Sequence, residues 1–124
     1  MSNMLPFIGR VIFALAMAYF GIGHFTNGQN MTGYLPASMS SVALPLIYIS
    51  GAGLLLAAVS FIINKWMRLA AILLALFLVL TVIIVHMPGL SSEDQAAKMS
   101  SMIAIVKDLA LAGAALVISG DAKD

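Results

Sequence analysis

Four ionisable side chains in this 124-residue sequence stand within or at the edge of apolar runs: His24, His86, Lys107 and Asp108. At membrane depth such groups cost free energy and need a partner. Two inward-facing histidines can clamp a haem iron axially, bind a metal, or hydrogen-bond a quinone carbonyl. Two ligands alone make a weak metal site, so no metal is expected. The sequence has no cysteine, which removes disulfide staples, thiolate metal ligands and dithiol exchange. The expected site is therefore a cofactor-binding cluster of His24, His86, Lys107 and Asp108 that takes a quinone or a haem, with no catalytic residue assigned.

Lys107 and Asp108 are neighbours in sequence, and adjacent helix positions do not face each other. The expectation is that they do not pair, that Asp108 takes a histidine as partner, and that Lys107 snorkels to the membrane surface along its own stem. Read more plainly, each histidine is an interfacial residue ending a helix. The functional reading gains from both lying in one leaflet, on inward stripes.

The elements that must hold these residues follow from composition. Hydrophobic residues make up 62% of the chain and charged residues 9%, against roughly 45–50% and about 25% in soluble domains. A chain this short cannot hide so much apolar surface in a core of its own, so the surface must face a lipid bilayer. Four apolar stretches, residues 5–25, 42–63, 67–86 and 102–119, are read as transmembrane helices, since about 20 residues cross roughly 30 Å of hydrocarbon. They are continuous rather than alternating, which excludes a spanning β-barrel. The fold class is all-α, a single four-helix transmembrane domain over residues 1–124. Residues 109–119 alone reach only about 16 Å, so Lys107 and Asp108 must lie inside the fourth span. Ala16-Met17-Ala18 resembles a leader cleavage site, but the apolar run continues past it and reads as a retained helix.

Helical phase sets the inward faces. At 100° per residue, Arg10 and His24 fall about 40° apart, with Ala14, Met17 and Gly21 between them. Arg68 and His86 are about five turns apart and share a face with Ala71, Ala75, Val79 and Val82. Small residues at positions 50–53, Ala57 and Ala58, and Ala110, Gly113 and Ala114 read as close-packing faces. Ser91 or Ser92 is expected to cap a short surface helix before the fourth span. Arg10, Lys65, Arg68 and Lys123 fall on the side of the termini and Lys98 and Lys107 on the other. This bias predicts cytoplasmic termini in a multi-pass inner-membrane protein. A net charge of +1 gives no footprint for nucleic acid.

The sequence resembles the DoxX-like membrane proteins of bacteria and archaea. The resemblance rests on Gly9-Arg10 opening the first helix, Phe20-Gly21-Ile22-Gly23-His24-Phe25 closing it, and Tyr48-Ile49-Ser50-Gly51 in the second. It rests also on Arg68-Leu69-Ala70-Ala71 and His86-Met87-Pro88-Gly89 in the third, and on residues 107–116 in the fourth. It implies a four-helix membrane bundle. The family takes its name from a subunit of an archaeal thiosulfate:quinone oxidoreductase, and roles in redox homeostasis beside soluble partners are also proposed for it. Many relatives carry an acid in the second helix, where this chain has Ser50 and Ala52. The expectation is a redox-associated membrane subunit that binds a quinone or haem, as a homo-oligomer or with a soluble redox partner. The alternatives are a non-catalytic module that recruits or stabilises a partner and, third, a small dimeric transporter. The transporter ranks last because the first helix lacks a carboxylate.

Overall fold

The computed structural model describes residues 4–122; Lys123, counted above in the charge bias, lies outside them. Among the described residues four helices are long and apolar enough to cross a membrane. They are α1 (Met4–Thr26), α2 (Ala43–Ile63), α3 (Met67–Thr81) and α4 (Gln95–Asp121). Helix α3 runs on through a π-helical turn, Val82–His86, into a 3-10 stretch, Met87–Ser91. Each helix carries large apolar side chains on its outer face, such as Leu5, Ile12, Leu56, Leu73 and Val117. In each span's most apolar window only 17–33% of residues are buried within the chain. Too little apolar surface is covered for water to be the solvent, and lipid is what remains.

The first two spans agree with the sequence to within a residue; the third starts where expected, but its α-helix ends at Thr81 and the spanning segment runs on through the π turn to Ser91, five residues past the expected end at His86. The fourth differs: α4 begins at Gln95, not near residue 102. The Asp94 carboxylate accepts from the Ala96 N–H at 3.2 Å and satisfies a donor that the helix start would otherwise orphan. Ser92 Oγ in turn accepts from the Asp94 N–H. The short surface helix expected here is thus the opening of α4 itself, and neither Ser91 nor Ser92 is its cap. At 1.5 Å per residue the 27 residues of α4 span about 40 Å, more than the hydrocarbon needs.

The helices associate as two hairpins. α1 packs most extensively on α2, and α3 on α4, while α2 and α3 share a much smaller contact. The α1–α2 crossing is set by Gly21 and Gly51. A Cβ on Gly51 would lie 2.8 Å from His24 Cβ and 3.0 Å from the Gly21 oxygen, and one on Gly21 would meet Leu55 Cγ at 2.9 Å. In lipid, where no hydrophobic force draws helices together, such backbone approach is a main source of packing. At the α2–α3 turn, Asn64 and Trp66 both take φ of 58°. Asn64 is the left-handed C-cap that lets the chain reverse in three residues.

The α1 stripe of Ala14, Met17 and Gly21 is buried as phase analysis expects. On α3, Ala71, Ala75 and Val82 are buried, but Val79 faces out and Leu74 and Leu78 take the interior. A four-residue step drifts about 40°, so Val79, two such steps beyond Ala71, lies about 80° from it and leaves the face. On α4 the buried positions are Asp108, Ala112 and Ala115, whereas Ala110 and Gly113 face outward. The inward face thus carries the carboxylate together with the small residues Ala112 and Ala115, and not Ala110 and Gly113.

Gly51→Leu is expected to pry α1 from α2 and to lower stability by about 1–3 kcal/mol, as over-packing does. Gly53→Leu, at a position with open space around the Cβ, should leave the melting temperature in mild detergent near that of the unsubstituted protein.

Candidate functional site

The site lies at the end of the bundle opposite the chain termini, termed here the distal end. His86 reaches it through a break in helical register. Pro88 has no N–H to give to residue 84, and its ring crowds that carbonyl. The Met87 N–H bonds instead to Val82 O, five residues back, which closes the π turn. Thr81, which opens the turn, donates its hydroxyl to Phe77 O at 2.9 Å, a back-bond that also bends helices. The widened turn carries His86 toward α4. Beyond it, Gly89 lies against the Ser101 hydroxyl, which a side chain at residue 89 would have to displace.

On α4, Asp108 is the one buried charged residue among those described. Its Oδ2 accepts from His86 Nε2 at 3.0 Å, and its Oδ1 pairs with Lys107 Nζ at 3.2 Å. A histidine partner for Asp108 is as expected from the sequence. The Lys107–Asp108 pair is not, and corrects the reading that neighbours cannot meet. The rule about facing positions concerns Cβ directions, and the four-carbon lysine stem is long enough to fold back. The snorkelling expected of Lys107 is also corrected: its ammonium sits 4.7 Å from the centroid of the Phe20 ring on α1, an attraction between cation and ring face. Lys107 stays half-exposed while the Asp108 side chain is 6% exposed. The formal charges of the two cancel, so no isolated charge is left inside the membrane span.

His24 takes a different partner. Its Nδ1 donates to Phe20 O, one turn back on its own helix, at 2.7 Å. A carbonyl can only accept, so Nδ1 carries the proton and the neutral ring leaves Nε2 as an acceptor. For His86 the carboxylate fixes the opposite arrangement, with the proton on Nε2 and Nδ1 left over. Among the described residues neither remaining nitrogen has a hydrogen-bond partner. The structure thus joins three of the four sequence-derived residues in one bonded group, His86, Asp108 and Lys107, and leaves His24 outside it.

All four nevertheless line one cavity of about 460 Å³. It lies where the two hairpins meet, with contributions from all four helices. Met17, Leu54, Leu78 and Leu111 make an apolar wall, and Met31, Tyr34, Leu35 and Met39 from the 27–42 loop complete the distal end. That loop is held by the stacked rings of Phe25 and Tyr48, 5.6 Å apart. A Cβ on Gly28 would meet Tyr48 Cε1 at 2.7 Å, so only glycine lets the loop descend here. Sequence reasoning missed Phe20, Ser50 and the loop methionines as lining residues. Phe20 had a signal, one turn before His24; Ser50 and the methionines had none apart from tertiary contact.

Asp108→Ala is expected to lower stability by roughly 1–2 kcal/mol, the upper range of hydrogen-bond losses inside membranes. Asp108→Asn, which keeps an acceptor for His86, should lose less. Melting in detergent orders the two.

A protein-family model, DoxX, matches residues 5–87. The match holds α1, α2, α3, His24 and His86, and ends before Lys107 and Asp108. Searches of curated proteins and of solved structures gave no match. With four apolar helices and a family match over most of its length, the chain belongs to the DoxX family, as a multi-pass membrane protein.

Proposed function

We propose that the distal cavity binds a quinone-type head group, and that the protein serves as a redox-associated subunit of the inner membrane with cytoplasmic termini. The observation that carries this reading is the cavity's composition: an apolar volume whose polar groups gather on His24, His86, Lys107 and Asp108. Its size falls within the roughly 300–1,000 Å³ usual for small-molecule sites, and its mix of apolar wall and few polar groups is also usual. Lys107, Tyr34 and Ser50 supply donors for carbonyl oxygens. The remaining nitrogens of His24 and His86 supply acceptors for hydroxyls. A ring bearing oxygen substituents finds partners in either form, and its tail meets apolar side chains.

The donor set does not suit a bis-histidine haem. Haem iron is held axially through an imidazole nitrogen; the unhindered one of His86, Nε2, is held by Asp108, and the Nδ1 left to it is crowded by its own backbone. His24 alone keeps a free Nε2 behind a backbone-anchored Nδ1.

A second reading is favoured by the completeness of the triad: among the described residues no buried side-chain polar atom lacks a partner. In it the network only ties α3 to α4, and the protein is a module that holds a soluble or membrane partner.

His24→Ala separates the two, because His24 lies outside the bonded triad and alanine keeps the Cβ that packs on Gly51. On the first reading it weakens binding of a short-chain benzoquinone, measured by titration calorimetry in detergent, and the His24→Ala, His86→Ala double variant weakens it by about tenfold or more. Unchanged affinity in the double variant overturns the quinone reading. If no quinone binds while the double variant melts lower, the structural reading stands. A Soret band appearing on haem addition would restore the haem site.

A further inference from the structure

The distal cavity adjoins a second hollow. α2 and α3 are joined by a three-residue turn, yet each packs chiefly on another helix, α1 or α4. A groove of about 400 Å³ lies along their seam. It runs from Ile49 and Ser50 past Gly53 and Ala70 to Trp66 at the turn, and its lining is almost wholly apolar. Ser60 in the lining donates its hydroxyl to Lys65 O and asks nothing of an occupant. Nothing lies within 4 Å of a Cβ built on Gly53, so the groove is open there. Ser50, Leu54 and Phe77 stand in the walls of both the groove and the distal cavity.

The seams of the bundle are not equally closed around the cavity. Gly21 and Gly51 bring the backbones of α1 and α2 together. The His86–Asp108 bond joins α3 to α4. Lys107 over the Phe20 ring puts an ammonium between α4 and α1, a group that an apolar chain avoids. Around Ser50 and Phe77, no hydrogen bond, ion pair or ring contact among the described residues ties α2 to α3. An apolar chain leaving the cavity sideways therefore meets least resistance between α2 and α3.

We propose, resting on the quinone reading of the distal cavity, that a membrane quinone enters through this seam and leaves its long apolar tail in the α2–α3 groove, with the ring in the cavity. Such a molecule is polar at one end and apolar along the rest of its length, and the two hollows divide in the same way. Its tail is borne on the carbon next to a ring carbonyl. That carbonyl then falls at the junction of the hollows, where the Ser50 hydroxyl can donate to it. From Ser50 to Ser60 the groove follows α2 for about 15 Å. A helix of a second copy, about 10 Å across, can lie over the groove but cannot continue into the cavity, and it gives no account of the shared walls.

The test uses the full chain in mild detergent with a tailless methylated benzoquinone, and with the same ring carrying an alkyl tail that spans the groove, with or without a terminal bromine. Trp66 is the single tryptophan of the chain and lines the far end of the groove, so a bromine arriving there quenches its fluorescence. The expected result is saturable quenching by the brominated tail, beyond that of the plain tail, reversed by excess tailless quinone. Gly53→Phe, which fills the groove, should keep the affinity for the tailless quinone, weaken the tailed one about fivefold or more and remove the bromine effect. Partition of the tail into detergent is the same for both proteins and drops out of the comparison. Two outcomes overturn the proposal while the quinone reading stands: tailless quinone that binds without reversing the quenching, or the same ratio of tailed to tailless affinity in both proteins. Failure of the tailless quinone to bind the unsubstituted protein overturns the quinone reading, and the tail site with it. Loss of a dimer in Gly53→Phe at an unchanged ratio would assign the groove to a second copy. The quenching needs no variant, so it decides the matter even if Gly53→Phe does not fold.

Discussion

The burial of Asp108 is the constraint on which the rest of the bundle turns. A carboxylate inside a membrane span is tolerated only if protein surrounds it and donors neutralise it. That requirement is met on the face of α4 that points inward, where Ala112 and Ala115 also let the helix pack closely. It gives the π turn in α3 a purpose, since the turn is what brings His86 to within 3.0 Å of the carboxylate. It also draws Lys107 inward, against the habit of lysines near membrane surfaces, and the Phe20 ring helps to keep it there.

The pairing of helices into two hairpins leaves cavities along the seam between them. Close contact at Gly21 and Gly51 commits α1 to α2, and the triad commits α3 to α4. The seam between the hairpins is correspondingly loose, and packing defects collect along it. At the distal end the defect is lined by four helices and a loop, and polar side chains border it. A second, almost wholly apolar groove lies between α2 and α3 and reaches Trp66 at their turn. The two share Ser50, Leu54 and Phe77 in their walls, so one architectural cause gives adjoining cavities of different chemistry.

Much of this was legible in the residues. Continuous apolar runs set the number of spans and the limits of the first two, because water cannot solvate them and lipid can. The α1 stripe followed from the 3.6-residue period, and the partnership of Asp108 with a histidine followed from the cost of an unpaired charge. The α3 stripe was half right: Val79 broke it because four-residue steps drift around the helix. The start of α4 was missed because Asp94, a loop residue by composition, caps it, and because polar residues 95–101 give no hydropathy signal of a helix beyond the membrane.

Composition and periodicity alone determined that this chain spans a membrane four times and that its unusual groups gather at one end, since both depend on local sequence and on the solvent. The tertiary structure alone decided which of those groups bond. Hydrogen bonds reach about 3 Å, a scale set by helix rotation, by the register shift before Pro88 and by the folding back of a lysine stem. None of these is fixed by spacing along a single helix. So His24, equal to His86 in the sequence, is anchored to its own backbone and left as the free wall of the cavity, while His86 is bound into the triad.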